Sequence, residues 1–136
     1  MTLPKEIIFS KNQIDILRKH AKENAPNESC AILFGKIKNG EYMIKEVFLT
    51  TSEEPSPFTF KVVADELLLA YKKAEAENLE MAIFHSHPHS EAYPSSTDID
   101  NMKWNPYPWL IFSNPSNEFK GYILESGVVP LVVRVL

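Results

Sequence analysis

The sequence contains, at residues 28–35, the run Glu28-Ser29-Cys30-Ala31-Ile32-Leu33-Phe34-Gly35. Apolar residues fill it after its first two positions, and its length is typical of a buried β-strand. The dipeptide Asn39-Gly40 follows, and a second strand is predicted through Tyr42 to Leu49. Because Asn-Gly favours the tight turn of a hairpin, the sequence predicts a β-hairpin here.

A helix is predicted immediately before this hairpin. Ser10, with Gln13 three residues later, forms the sequence pattern of a capping box, in which each side chain bonds the other residue's backbone N–H. The helix is therefore predicted at Lys11 to Asn24, and the break Ala25-Pro26-Asn27 ends it.

A second helix is predicted after a Pro-rich connector at residues 51–57. It ends near Asn78, and its apolar face at helical spacing is formed by Val63, Leu67, Tyr71 and Ala74. A short third helix is predicted to begin near Asp98, with Ile99 and Met102 on it.

The remaining apolar runs have the lengths of strands, and they are Leu79 to Phe84, Trp109 to Ser113, Phe119 to Glu125 and Val128 to Leu136. A sheet covered by helices is the economical way to bury such an order of elements. We therefore expect an α/β fold, a single domain over residues 1–136, with a central mixed β-sheet flanked by two main helices and one short helix.

Composition narrows the possible partners. The chain has 136 residues, 44% of them hydrophobic and 24% charged, which is ordinary globular composition. Its net charge is −4 and it has no basic run longer than Lys72-Lys73, so nucleic acid is not an expected partner. The sequence has no signal-peptide pattern and no apolar run of about 18 residues, so we expect no membrane segment. Because it also has only one cysteine, we expect a cytoplasmic location.

The polar residues that suggest chemistry lie in the second half of the chain. The segment His85-Ser86-His87-Pro88 is followed, after six residues, by Ser95-Ser96-Thr97-Asp98. His85 and His87 follow directly on the predicted strand 79–84, and a spacing of two places both rings on one side. Two imidazoles and one carboxylate, with a position left for water, are typical of a catalytic zinc site.

Hydrolysis by such a site also needs a proton acceptor that is not a metal ligand. Glu28 is the candidate, because a charge at the start of an apolar strand is unfavourable unless a neighbouring site uses it. Ser95 would donate a hydrogen bond to the oxyanion that forms when water attacks a carbonyl. Taken alone, Ser95 and Asp98 are also consistent with a simple helix N-cap, and a cap is compatible with metal binding by Asp98.

These residues together resemble the signature of the JAMM (MPN-plus) metalloproteases, in the small form found in archaea and bacteria. The resemblance joins the 28–35 run to the two histidines and to Ser95 and Asp98, although Ala31 stands where the family more often has Gly. It implies a JAMM/MPN, cytidine-deaminase-like fold and one Zn²⁺ per chain, bound by His85, His87 and Asp98. It also implies that Glu28 is the general acid/base and Ser95 the oxyanion donor.

The resemblance further implies an isopeptidase that cleaves after the C-terminal glycine of a ubiquitin-like modifier and releases it from lysine. The expected partner is a ubiquitin-like protein with a Gly-Gly tail, added as an extended strand at an exposed sheet edge, and the enzyme would be a monomer or weak homodimer. Segments 53–55 and 105–107 are candidate edges of the substrate groove. Processing of ubiquitin-like sulfur carriers remains an alternative substrate class, and a non-catalytic MPN scaffold remains an alternative role.

Two other classes of metalloenzyme agree less well with this sequence. Two histidines and a carboxylate are also the ligands of non-haem Fe(II) oxygenases, but the predicted helices differ from the all-β barrel those enzymes usually have. A zinc deaminase would need a Cys-x-x-Cys pair, which a chain with one cysteine lacks.

Overall fold

The computed structural model describes residues 3–136, which form seven strands and three helices. In chain order these are β1 (Glu6–Phe9), α1 (Lys11–Asn24), β2 (Cys30–Lys38), β3 (Glu41–Thr50), α2 (Ala64–Glu77), β4 (Glu80–His87), α3 (Ser96–Trp104), β5 (Trp109–Ser113), β6 (Glu118–Leu124) and β7 (Val128–Val135). Of these helices, none has both the length and the hydropathy needed to span a membrane.

The strands form one mixed sheet in the order β1-β3-β2-β4-β5-β6-β7, and β7 pairs with β1 to close it into a barrel. Strand β1 is parallel to both β3 and β7, and β4 is parallel to β5, whereas the other pairs are antiparallel. The predicted mixed sheet with two main helices and one short helix is therefore confirmed. The closure of the sheet was not part of that prediction.

The first element, β1, was missed by the sequence analysis, which placed the helix first. This strand has four residues, and Ile7 lies opposite Tyr42 of β3 and Val133 of β7. A run this short carries little periodicity, and both of its partners are distant in the chain. Its strand character therefore comes from tertiary pairing, which local patterns do not report.

The hairpin of β2 and β3 is confirmed, with shifted bounds. Asn39 and Gly40 both have positive φ, at 54° and 78°, which is the backbone of the type I′ turn that Asn-Gly favours. Strand β2 begins at Cys30 rather than Glu28 and continues to Lys38. Glu28 therefore lies just outside the strand, where its backbone is free to bond elsewhere.

Helix α1 has the predicted bounds, and the capping box of Ser10 and Gln13 is present in full. Helix α2 also matches at its end, because its last residue is Glu77 and Asn78 caps it in the left-handed conformation. Its predicted apolar face is only partly correct, because Ala70 is its buried residue and Tyr71 is 41% exposed. A small residue at position 70 lets the helix approach the sheet and leaves the larger neighbour at the surface.

The two faces of the sheet support two cores. Helix α1 packs with Ala31 and Leu33 of β2, whereas α2 and α3 pack with the alternating residues Ile32 and Phe34. On β4, Ile83 belongs to the core beneath α2 and α3. Because strand side chains alternate with a period of two, His85 and His87 continue on that same side.

Candidate metal centre

The two histidines lie within β4, not after it as predicted. The apolar pattern ends at Phe84, but main-chain pairing with β5 continues, with His85 opposite Ile111 and His87 opposite Ser113. Neighbouring-strand hydrogen bonds, rather than hydrophobicity, therefore extend this strand. The rigid backbone fixes both rings on the side where α3 begins.

Helix α3 positions the carboxylate. Ser95 is its N-cap, and Asp98 completes a capping box: the Asp98 N–H donates to Ser95 Oγ at 3.1 Å, and the Ser95 N–H donates to Asp98 Oδ2 at 3.0 Å. The helix thus begins at Ser96, two residues before the predicted start. The reciprocal bonds fix Asp98 in the first turn, facing the histidines.

One side-chain atom from each histidine and one from Asp98 lie close together. Asp98 Oδ2 lies 3.0 Å from His85 Nε2 and 3.0 Å from His87 Nε2, and the two nitrogens are 3.1 Å apart. All three residues are buried. Ligands about 2.1 Å from a tetrahedral zinc ion would stand roughly 3.4 Å apart, so a small movement would admit the ion. The donor set and its spacing therefore fit Zn²⁺.

The far side of the His87 ring is also fixed. Its Nδ1 lies 2.7 Å from the backbone carbonyl oxygen of Glu91, which can accept a hydrogen bond from it. A bond donated by Nδ1 makes Nε2 the nitrogen that a metal ion would bind, and outer bonds of this kind are usual for metal-binding histidines. The Glu91 carbonyl was not predicted, because a backbone acceptor leaves no signature in the sequence.

The charges of the three groups depend on one another. Burial lowers the pKa of His85. Burial also works to lower the pKa of His87, but the bond with Asp98 and the Glu91 carbonyl outweigh it, so this pKa is raised. Burial favours the neutral acid at Asp98, yet its bonds with His85 and His87 hold its pKa well below the usual range. The lowered pKa favours the anionic form of Asp98, which would attract a cation bound at this point.

Glu28 lies beside this cluster and is 5% exposed. Its Oε1 is buried and finds no hydrogen-bond partner within the described part of the chain. Burial raises the pKa of Glu28 to about 8; the charge of His87 opposes the rise and that of Asp98 adds to it. A carboxyl with its pKa near neutrality can both accept and release a proton at physiological pH.

A pair of serines joins the backbone of Glu28 to the histidine strand. Ser86 Oγ accepts the Ser29 N–H at 2.9 Å and lies 2.9 Å from Ser29 Oγ, while the Ser86 N–H donates to the Ser29 carbonyl at 3.1 Å. Because Ser86 stands between the two histidines, these bonds fix the position of the 28–29 backbone relative to both. Sequence reasoning missed this pair, although the position of Ser86 could have suggested it.

Ser95 lies next to Asp98 and caps the helix. Its side-chain oxygen accepts the Asp98 N–H, so the hydroxyl proton remains available to donate. The side chain is half-buried at the rim of the cluster. The structure thus brings together Glu28, His85, His87, Ser95 and Asp98, as their sequence positions suggested.

A cavity of about 400 Å³ lies between α2, α3 and the segment 51–63, and Phe60 and Trp109, which line it, also pack against His85. Phe60, Trp109 and Ile83 form apolar parts of its wall, and Glu53 and Asn105 lie at its edges. Those last two residues belong to the segments that the sequence analysis assigned to a groove. Trp109 is 1% exposed and is also part of the core.

The cysteine is not part of the cluster. Cys30 is fully buried, its sulfur accepts the hydroxyl hydrogen bond of Thr50 at 3.1 Å, and burial raises its pKa to about 11. A neutral, enclosed thiol is a core residue.

Comparison with known families gives a match over most of the chain. Residues 10–122 match the family described as prokaryotic homologs of the JAB domain. That range includes Glu28, both histidines, Ser95 and Asp98.

Curated relatives agree with that match. A desampylase of Pyrococcus furiosus is 40% identical over 72% of this chain and 67% of its own length. A probable TtuB-protein conjugate cleaving protease of Thermus thermophilus is 34% identical over 85% of this chain and 75% of its own. A CysO-cysteine peptidase of Mycobacterium tuberculosis is 29% identical over 90% of this chain and 86% of its own.

A solved structure has the same fold. Protein DSY2949 from Desulfitobacterium hafniense superposes with a TM-score of 0.82 at 27% identity, over 96% of this chain and 92% of that one. The closed mixed sheet with three helices is therefore a fold that occurs beyond this chain.

Proposed function

Since this chain belongs to the prokaryotic JAB-domain family and is a JAMM-type metallopeptidase, we propose that it is a zinc-dependent isopeptidase. It cleaves after the C-terminal glycine of a ubiquitin-like modifier and releases that modifier from a lysine. The convergence of the two histidines and Asp98 at about 3 Å, with the buried Glu28 beside them, is the observation that carries this proposal.

The metal ligands in this proposal are His85 Nε2, His87 Nε2 and Asp98 Oδ2. The β4 backbone orients the histidines, and the capping box of α3 orients the carboxylate. A zinc ion bound there would supply Lewis-acid chemistry, making a water more acidic and polarising the scissile carbonyl.

Glu28 moves the proton in the proposed reaction. Its carboxylate takes a proton from the attacking water while the water oxygen bonds to the glycine carbonyl carbon. Glu28 then gives that proton to the lysine nitrogen as the carbon–nitrogen bond breaks, so the products are a free modifier carboxylate and a free amine. The Ser95 hydroxyl donates a hydrogen bond to the carbonyl oxygen while that oxygen carries negative charge.

The cavity lined by Phe60, Ile83 and Trp109, called the groove from here on, is the proposed site of the modifier's tail. It is mostly apolar, and Ile83 of β4 lines it on the side of the strand that continues to His85. Glycines next to the scissile bond fit this arrangement, because a side chain there would collide with the buried wall formed by Phe60 and Trp109. One place for the expected strand addition is the second half of β3: beyond Ile44, β3 pairs only with β2 among the described strands.

The names of two relatives support this substrate class. One acts as a desampylase and another is described as cleaving TtuB-protein conjugates. A second candidate is processing of a ubiquitin-like sulfur carrier, which the similarity to a CysO-cysteine peptidase over 90% of this chain favours. Both reactions break the bond after a terminal glycine, and they differ in the leaving amine.

Two matched substrates test the proposal. One ubiquitin-like protein ending in Gly-Gly is linked through an isopeptide bond to lysine in one sample, and extended by a single cysteine in the other. The zinc-loaded enzyme should release the modifier from lysine with the larger kcat/KM. Preference for the cysteine extension would favour carrier processing, and failure to cleave either would contradict the proposed activity.

Ser95→Ala is expected to lower kcat by about 10²- to 10³-fold, the cost typical of losing one oxyanion donor. It should also lower stability by about 1 kcal/mol because Ser95 caps α3. Steady-state kinetics at a measured zinc content reports the effect on kcat, and thermal unfolding of the same sample reports the effect on stability. Ser95→Thr should recover most of the activity.

The exposed neighbour Ser96 provides the matched control, and Ser96→Ala should behave as wild type. If Ser95→Ala, fully loaded with zinc, turns over at the wild-type rate, the assignment of the oxyanion donor is wrong.

A further inference from the structure

The two histidines of the cluster are held in different ways. The His87 ring is fixed from behind by the Glu91 carbonyl, 2.7 Å from its Nδ1. The corresponding Nδ1 of His85 is buried and finds no hydrogen-bond partner among residues 3–136. An imidazole that must direct one nitrogen at a metal needs its ring plane fixed, and a hydrogen bond to the other nitrogen normally does this.

Around His85, two aromatic rings fix the plane of the imidazole in place of a hydrogen bond. The Phe60 ring stacks on the imidazole with centroids 4.7 Å apart and planes inclined by 28°. The Trp109 ring meets the imidazole edge-on, at 5.5 Å and 85°. The ring centroids of Phe60 and Trp109 are 6.0 Å apart, so the two rings and the imidazole pack as one group. This packing restricts rotation of the His85 ring.

Phe60 comes from a segment with defined structure, although it lies outside the named strands. The Val63 N–H donates to the Thr51 carbonyl at 3.1 Å, and the Lys61 N–H donates to Ser52 Oγ at 3.0 Å. These bonds fold residues 51–63 into a narrow loop and fix the backbone that follows the Phe60 ring. The packing of Phe60 is therefore part of the fold.

The same loop also contacts Glu28. Its Ser56 carbonyl accepts the Glu28 N–H at 2.8 Å. Phe60 in addition lines the groove. One loop therefore contacts the tail groove, a metal ligand and the backbone of the proposed base.

We propose that Phe60 is a positioning residue for the metal centre: its ring, with Trp109 behind, orients His85 as the Glu91 carbonyl orients His87. The inference rests on the proposed function, because it takes His85 to be a zinc ligand. It adds that metal affinity depends on a side chain outside the ligand set, on a loop that lines the substrate groove.

Zinc affinity tests this inference without using turnover. Zinc is titrated into metal-free wild type and Phe60→Ala in competition with a chelator of known affinity. We expect the dissociation constant of the variant to rise about 10-fold or more, the range typical of losing an outer partner of a ligand. Phe60→Tyr keeps the ring and should retain wild-type affinity. Cobalt(II) absorption should change shape in Phe60→Ala, because the geometry of one ligand is relaxed.

Phe58→Ala is the matched control, since Phe58 is on the same loop but 76% exposed. Equal zinc affinity in Phe60→Ala and Phe58→Ala would overturn the inference. If Phe60→Ala does not fold, Phe60→Leu keeps most of the volume and lacks the flat ring; the inference expects weakened zinc binding there too, and wild-type affinity would overturn it. A wild type that binds no zinc would instead contradict the proposed function.

Discussion

Glu28→Gln is expected to lower kcat by about 10²- to 10⁴-fold, the range that general acid–base catalysis supplies. Glutamine has nearly the same shape and cannot take a proton from water. Zinc affinity and KM should change little, because Glu28 is not one of the converging ligand atoms. Single-turnover cleavage of a lysine-linked conjugate, with bound zinc measured, is the appropriate assay.

Glu91→Gln is the control for this substitution. The Glu91 side chain is exposed, and its contact with the cluster is made by the backbone carbonyl, which the substitution retains. It should keep wild-type activity. A zinc-loaded Glu28→Gln enzyme with undiminished turnover would show that the proton acceptor is another group.

In the metal-free protein, Glu28→Gln should be more stable than wild type, and the difference in Tm should grow as the pH rises. The pKa of Glu28 is raised from 4.5 to about 8 in the folded state by burial, so folding retains a proton that the unfolded chain releases. The stability from this group is complete below pH 4.5 and is lost as the pH rises towards 8. Glutamine removes that loss, and each 1 kcal/mol gained would raise Tm by roughly 4 °C.

His87→Ala is expected to weaken zinc binding by more than about 100-fold, beyond the usual effect of losing only an outer partner, and to abolish measurable turnover. The substitution removes one of three ligands, and it leaves the buried Asp98 carboxylate with one histidine fewer. Thermal unfolding with and without zinc measures this directly. Excess zinc should raise the Tm of wild type and leave that of the variant unchanged.

His89→Ala separates loss of the site from loss of a nearby histidine. His89 is two residues further along and exposed. This variant should bind zinc and respond to it in unfolding experiments as wild type does. Zinc stabilisation that survives in His87→Ala would contradict the ligand assignment.

Local sequence patterns predicted the elements whose structure is fixed by local bonds. The capping boxes at Ser10 and Ser95 and the Asn39-Gly40 turn involve contacts within about three residues, so their patterns contain the whole interaction. The candidate site could be predicted for a related reason: the chemistry requires particular residue types, and the 85–98 segment places four of the five within a short length of chain.

The features that were missed depend on distant contacts. Strand β1 is a strand because two remote strands pair with it, and His85 and His87 belong to β4 because β5 extends the pairing. The stacking of Phe60 on His85 joins a loop residue to a strand residue 25 positions away. No local period or motif reports such a contact, so it emerges only when the chain is folded.

The most direct measurement of the central claim is hydrolysis of a lysine-linked conjugate in oxygen-18-labelled water, followed by intact-mass analysis of both products. The account predicts cleavage by the zinc-loaded enzyme after the terminal glycine. The released modifier should carry one oxygen-18 atom in its C-terminal carboxylate, and the lysine should be unmodified. Zinc-loaded enzyme that leaves the conjugate intact, cuts at another bond or yields an unlabelled carboxylate would contradict the account.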